Sequence, residues 1–100
     1  MELQAAVLVA ALTIAQAGAA QDQSLIAAGA EVYQTHCASC HGERLINPGS
    51  SFDLRTLAAD ERLRFDKALA EGKGQMPAWA GMISPEQIDE LWAYVRSRAD

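Results

Sequence analysis

Apolar residues recur at helical spacing near the beginning and at the end of the chain. The first group stands three and four positions apart, at Leu25, Ala28, Gly29, Val32 and Tyr33. This spacing predicts a helix with one apolar face, which begins at the N-cap Ser24, after a flexible leader at 21–23, and runs to about His36. Gly29 is a poor helix former, so close approach by another helix is the better reason for its presence.

The final stretch predicts the clearest helix. Ser84, Pro85 and Gln87 match the N-cap, first and third positions of a capping box. The apolar face that follows consists of Ile88, Leu91, Trp92 and Val95, with Tyr94 beside it. We expect this helix to span about 84–98 and to cross the first helix near Gly29.

A shorter helix is predicted over Glu61–Glu71, with Asp60 as its cap and Gly72 at its end. Its inward positions are expected to be Leu63, Ala68 and Leu69. Its solvated face is expected to carry Arg62, Arg64 and Lys67. Before it lies a short apolar stretch formed by Phe52, Leu54 and Leu57.

The first 20 residues, Met1–Ala20, have the layout of a secretory signal. An apolar run over 5–15 is followed by small residues, and cleavage after Ala19 or Ala20 would leave a domain over 21–100. Eleven apolar residues are too few to span a bilayer, which needs about 20, so a retained membrane anchor is the less favoured alternative. Export places the domain in the periplasm.

Length and charge narrow the choice of partners. A chain of 100 residues with a net charge of −5 is a poor match for nucleic acid or an anionic membrane, and a basic rim on a partner protein suits it better. The 80 residues left after cleavage make a small core, which a large apolar cofactor would complete.

The run Cys37-Ala38-Ser39-Cys40-His41 is typical of a cofactor attachment site. Its two thiols lie one helical turn apart and the imidazole follows directly, so all three can face one flat ligand. Haem is the simplest such ligand: both sulfurs would form thioether bonds to porphyrin vinyl groups and His41 would bind the iron from one side. The other ring nitrogen of His41 is expected to donate to a backbone carbonyl near Pro48.

Two other readings of a Cys-x-x-Cys run fit less well. A zinc site needs four ligands, or three and a water, and only His36 and His41 are available beside the two cysteines of the chain. A thioredoxin-like redox pair should lie within alternating strands and helices, a pattern that this sequence does not have.

The segment KGQMPAWAGMIS, at 73–84, offers a second iron ligand. Pro77 keeps Met76 on an extended loop that can bring the thioether to the haem face opposite His41. Met82 is the competitor, and we expect it to pack instead. Trp79 could cover a haem edge or donate to a propionate, with core packing as the alternative.

Among the cations, Arg55 is a candidate partner for a propionate. With His41 and Met76 filling both axial positions, no site is left on the iron for a substrate, which favours electron transfer over enzymatic catalysis. An alternative is a gas sensor or peroxidase-like domain with an open distal face, although His36 is expected to point away from that face. A permanent subunit of a larger oxidoreductase is a third possibility.

The order of these features resembles that of class I c-type cytochromes, over about residues 24–98. The most specific parts are CASCHG at 37–42 and the Met-Pro pair at 76–77. The resemblance implies a small all-α bundle around one covalently bound haem c. The residues that it assigns are Cys37 and Cys40 as thioether sites, His41 as the proximal and Met76 as the distal ligand of the iron.

We therefore predict a monomeric periplasmic carrier of single electrons, not an enzyme. It would work between a dehydrogenase or quinol-oxidising complex and a terminal acceptor such as an oxidase. The stretches FDLRTL, at 52–57, and MPAW, at 76–79, are also similar to those of small cytochromes that resemble electron acceptors of quinoprotein alcohol dehydrogenases.

Overall fold

A computed structural model describes residues 2–99, and the side chains of 2–17 and 19 lie outside the described part, together with Met1 and Asp100. The described residues form four α-helices and two short 3-10 turns, and they contain no β-strand beyond two isolated bridges. The helices are α1 (Glu2–His36), α2 (Ala38–His41), α3 (Arg62–Glu71) and α4 (Pro85–Ser97), with the 3-10 turns at Glu43–Leu45 and Leu54–Thr56. The predicted all-α fold is confirmed.

Helix α1 is longer than the sequence pattern predicts. It is continuous from Glu2, so the expected flexible leader at 21–23 is helical and Ser24 lies inside the helix and not at its N-cap. The reason is local: glutamine and alanine are good helix formers, and no proline or glycine separates Ala19 from Ser24. The apolar run of the predicted signal falls outside the described side chains. Between residues 2 and 99, no helix is both long and apolar enough to cross a membrane.

Helices α1 and α4 cross closely at Gly29, as predicted. A Cβ at Gly29 would overlap the backbone carbonyl of Glu90 and would lie 2.9 Å from the Cβ of Tyr94. One turn further on, the rings of Tyr33 and Tyr94 pack with their centroids 5.4 Å apart. Leu25, expected on the same apolar face, lies a turn before this contact and is 41% exposed.

The crossing continues into a single hydrophobic core that α3 and the loops complete. Its buried members are Val32, Tyr33, Cys37, Leu45, Leu57, Phe65, Leu69, Ile83, Leu91, Tyr94 and Val95. Helix α4 begins with the predicted capping box: the Gln87 amide donates to Ser84 Oγ at 3.1 Å, and the Ser84 amide donates to Gln87 Oε1 at 2.9 Å.

Helix α3 differs from its prediction at its start and in its apolar face. Glu61, not Asp60, stands at the N-cap, and its carboxylate accepts from the Ala58 amide in the preceding turn at 2.9 Å. Leu63, expected inward, is 84% exposed. Phe65 and Leu69 form the buried face, and a residue two positions from Phe65 points to the opposite side of a helix.

The charged residues of α3 are only partly a solvated face. Arg64 and Lys67 are exposed, as expected. Arg62 instead bonds to Asp66 and, across to α4, to Asp89, each at 2.7 Å. Gly72 ends the helix with a positive φ of 76°, as predicted.

Candidate functional site

The two thiols lie at the junction of α1 and α2. The amide of Cys37 donates to the carbonyl of Tyr33 at 2.8 Å, which continues the helical path of α1 up to the first thiol. Neither cysteine forms a disulfide; Cys37 is buried and Cys40 is exposed. Burial raises the pKa of the Cys37 thiol to about 11, with Cys40 as a smaller cause, so this thiol stays neutral at ordinary pH.

His41 ends α2 with one ring nitrogen already engaged. Its Nδ1 lies 3.1 Å from the backbone carbonyl oxygen of Phe52. A carbonyl can only accept, so Nδ1 carries the proton, and in the neutral ring Nε2 is the nitrogen with a lone pair for a metal. The predicted acceptor near Pro48 is wrong, because a turn fixed by the Asn47 side chain, which bonds to Ser51 and Gly49, brings Phe52 back to the imidazole instead.

Gly42 fixes the path of the chain directly after His41. Its φ is 93°, a conformation that favours glycine, and a Cβ there would overlap the carbonyl of Ile46. The Tyr33 hydroxyl donates to the Gly42 carbonyl. The helical spacing predicted only a packing role for Tyr33. Its position four residues before Cys37, on the same helix face, is the signal that it could reach the site.

The Met76 side chain packs against the core and the Met82 side chain does not. Lys73 and Met76 exchange backbone hydrogen bonds of 3.1 and 3.0 Å, and the half-buried Met76 side chain packs against the core. A Cβ at Gly72 would lie 2.6 Å from the Met76 carbonyl, so Gly72 also makes room for this turn. Met82 is 67% exposed, and the prediction that it packs is wrong, because Ile83 takes the buried position next to it.

Trp79 shows the core packing that was one of its three predicted roles. It is half-buried against the core, and its amide donates to the Leu69 carbonyl at 2.7 Å. Its ring contacts that of His36 with the centroids 5.1 Å apart. His36 was expected to point away from the distal face of the iron, and that orientation stays a prediction. A haem contact by Trp79 stays a prediction.

Arg55 bonds to a protein carboxylate in this structure. Its Nε and one terminal nitrogen each lie 3.3 Å from an oxygen of Asp53. These hydrogen bonds are the main cause that holds the pKa of Asp53 below its usual value. The predicted propionate contact would have to share the guanidinium with Asp53.

A second arginine, Arg64, contacts the loop that orients His41. Its guanidinium lies over the Phe52 ring, 4.7 Å from the ring centroid, and also bonds to Glu61 at 2.9 Å. Phe52 is the residue whose carbonyl holds the imidazole. The sequence offers no signal for this contact, because neither residue belongs to a periodic apolar face.

The sulfur and nitrogen atoms of these side chains fit a covalently attached haem. Two unpaired thiols lie one turn apart, an imidazole beside them has a free Nε2, and a thioether is held on a loop against apolar side chains. Such a set matches the attachment and axial ligands that haem c uses. The fold and the site together define an all-α haem-binding domain.

Comparison with known proteins places this domain in a family. The family described as cytochrome c oxidase, cbb3-type, subunit III matches residues 24–95. Cytochrome c6 of Rippkaea orientalis is 33% identical over 79 residues, 74% of this chain and 71% of the relative. Cytochrome c6 of Euglena viridis is 38% identical over 80 residues, 71% of this chain and 90% of the relative.

A match also exists to a much longer protein. The quinohemoprotein alcohol dehydrogenase ADH-IIG of Pseudomonas putida is 35% identical over 80 residues, which cover 78% of this chain but only 11% of that protein. No solved structure matches the chain.

The chain belongs to the cytochrome c family, as a small class I c-type cytochrome. It carries haem c with its iron, and its activity is electron transfer by a c-type cytochrome. The prediction made from Cys37, Cys40 and the order of the elements is therefore confirmed at the level of family, fold and cofactor.

Proposed function

We propose that this protein is an exported one-electron carrier whose haem is held by Cys37 and Cys40, with His41 as the proximal and Met76 as the distal ligand. The haem supplies the one-electron chemistry when bound. The observation that carries the proposal is the contrast between the two methionines: Met76 is half-buried on a closed turn, whereas Met82 is 67% exposed.

The side chains of the site support a carrier more than a catalyst. The Phe52 carbonyl fixes the tautomer and orientation of His41, and the core holds Met76 in place. A thioether is a soft ligand that favours ferrous iron, and apolar surroundings disfavour the extra ferric charge, so both raise the reduction potential. With His41 and Met76 as its ligands, a bound iron would have no open position for a substrate.

The proposed partners are proteins that meet the carrier briefly. The donor would be a dehydrogenase or quinol-oxidising complex and the acceptor a terminal oxidase, with a quinoprotein dehydrogenase favoured because a relative is a quinohemoprotein alcohol dehydrogenase. The net charge of −5 suits a basic surface on either partner. We propose a monomer in the periplasm, with no nucleic acid and no membrane anchor.

If the protein is exported, signal cleavage gives the mature protein a defined N-terminus. Cleavage after Ala19 or Ala20 would remove the first part of α1 and leave Gly29 and Tyr33 in the remaining helix, so the crossing with α4 would survive. Intact-mass measurement of protein from the periplasm should give a chain beginning at Ala20 or Gln21, with one haem added. A mass that includes residue 1 would instead favour a retained anchor.

Carbon monoxide distinguishes the carrier from a sensor with an open iron. The reduced holoprotein should bind almost no carbon monoxide at neutral pH, because Met76 occupies the distal position. Met76→Ala should bind it readily, and Met82→Ala, the matched control, should behave like the wild type. Rapid stoichiometric binding by the wild type would contradict the proposed carrier role and favour the sensor or peroxidase-like alternative.

The family match favours one second candidate, a permanent subunit of a larger oxidoreductase, because the matching family is described as an oxidase subunit. Size-exclusion chromatography of a mild native extract separates the two. A carrier should elute at the size of the free protein, and a subunit should co-elute with a larger complex.

A further inference from the structure

His36 and Trp79 form an aromatic pair that joins the two parts of the haem site. Their ring centroids lie 5.1 Å apart and their planes meet at 62°, an edge arrangement. His36 is the last residue of α1, directly before Cys37, and Trp79 follows Met76 by three residues. The pair therefore connects the segment with the attachment motif to the segment with the second methionine ligand.

The backbone hydrogen bonds described for the Met76 segment serve a different purpose. Lys73 and Met76 bond to each other, and the Trp79 amide donates to Leu69 in α3 at 2.7 Å. These bonds close the segment on itself and dock it on α3. They do not set the distance between this segment and the end of α1. That distance depends on the contact of the His36 ring with Trp79.

The position of the pair lets it act on Met76. Both rings are half-buried, and an edge-to-face aromatic pair contributes beyond the area that it buries. Only Pro77 and Ala78 lie between Trp79 and Met76, and a proline restricts its own backbone and that of the residue before it. The contact between the His36 and Trp79 rings therefore acts on a short segment whose backbone at Met76 and Pro77 has few alternative conformations.

We propose that His36 is a positioning residue for Met76. Its edge contact with Trp79 holds the Met76 segment against the end of α1 and so favours the state in which the thioether is bound to iron. The inference rests on the proposed function, in which Met76 is the distal ligand.

Imidazole titration of the oxidised holoprotein, followed by absorption, tests this role. Added imidazole binds the iron only when Met76 has left it, so the apparent affinity reports the fraction of protein in the open state. His36→Ala should raise that affinity about fivefold, the factor that an aromatic pair of average strength contributes. His36→Phe keeps a ring at this position and should stay within about twofold of the wild type.

Two further variants isolate the pair. Trp79→Leu should raise the affinity as His36→Ala does, and the double variant should show little further increase, because the second substitution removes a contact that is already lost. Gln34→Ala, at an exposed position of α1, is the matched control and should leave the affinity unchanged.

The outcomes separate this inference from the proposed function. If His36→Ala keeps the wild-type affinity while Met76→Ala raises it strongly, the positioning role is wrong and the ligand assignment stands. If Met76→Ala leaves the affinity unchanged, the ligand assignment itself fails. An increase that Gln34→Ala shares would show general loosening of α1 and would also overturn the role of His36.

Discussion

The crossing of α1 and α4 and the connecting chain, from Cys37 to Ile83, are built in different ways. The crossing joins two regular helices through one glycine and a pair of tyrosines, with buried side chains at helical spacing. Apart from α3, the connecting chain consists of loops, short turns and the four-residue α2, and it holds the ligands through a few hydrogen bonds and residues with positive φ. The crossing therefore supplies stability, and the connecting chain supplies the geometry of the site.

Strain is concentrated in the connecting chain. Arg44 and Leu45 are non-glycine residues with positive φ, of 52° and 67°, and Leu45 is nevertheless buried in the core. Arg98 directly follows α4, and its side chain donates a hydrogen bond to the Arg44 carbonyl at 3.1 Å. The loop next to His41 is thus held in an unfavourable conformation by core burial and by a contact from the α4 end, which ties the two regions together.

The largest effect is expected from filling the crossing itself. Gly29→Val would place side-chain atoms into the backbone of Glu90, so the helices must move apart, with a loss of about 3 kcal/mol in the free energy of unfolding. Chemical denaturation followed by circular dichroism measures this. Ala27→Val, at an exposed position of α1, should stay within about 0.5 kcal/mol of the wild type. Equal losses in both variants would mean that close approach is not what Gly29 provides.

A smaller loss is expected in the connecting chain. Gly42→Ala forces a Cβ into a left-handed backbone and against the Ile46 carbonyl, which we expect to reduce the free energy of unfolding by about 2 kcal/mol. Gly74→Ala, also at positive φ but in open space, should lose only about 1 kcal/mol. The same denaturation experiment ranks the two. A larger loss of unfolding free energy in Gly74→Ala than in Gly42→Ala would contradict the close contact between Gly42 and the Ile46 carbonyl.

The smallest effect concerns the bond between the two regions. Tyr33→Phe leaves the Gly42 carbonyl without its donor, which should lower the free energy of unfolding by about 1 kcal/mol. The slope of the free energy of unfolding against pH, measured between pH 9 and 12, should also change in this variant.

The sign of that pH effect follows from burial. Burial chiefly raises the pKa of Tyr33 from 10.0 to about 12, so the folded state favours the neutral phenol. Its contribution is fully present below pH 10 and is lost as the pH rises through 12. Tyr33→Phe should remove this part of the alkaline decline. An identical decline in both proteins would show that Tyr33 is not the group responsible.

The sequence predicts the crossing better than it predicts the connecting chain, for a physical reason. Helical spacing and the capping box at Ser84 are local features, and each is confirmed. The partner of His41 depends on how the loop over 43–51 folds back, which spacing does not encode. The start of α3 was missed because Glu61 accepts from Ala58 in the preceding turn, and Leu63 and Met82 are exposed because Phe65 and Ile83 take the buried positions beside them.

The attachment site is an exception within the connecting chain. Cys37, Cys40 and His41 could be predicted because their chemistry depends on spacing within a single turn. Met76 lies far from them in sequence, and its assignment relied on the proline beside it. The structure adds that Met76 is packed and turned while Met82 is exposed.

The absorption spectrum of the oxidised holoprotein tests the assignment of Met76 most directly. The wild type should show the weak far-red band of a thioether bound to ferric haem, Met82→Ala should retain it, and Met76→Ala should lose it. A band that survives in Met76→Ala and disappears in Met82→Ala would contradict the account, because the exposed methionine would then be the ligand.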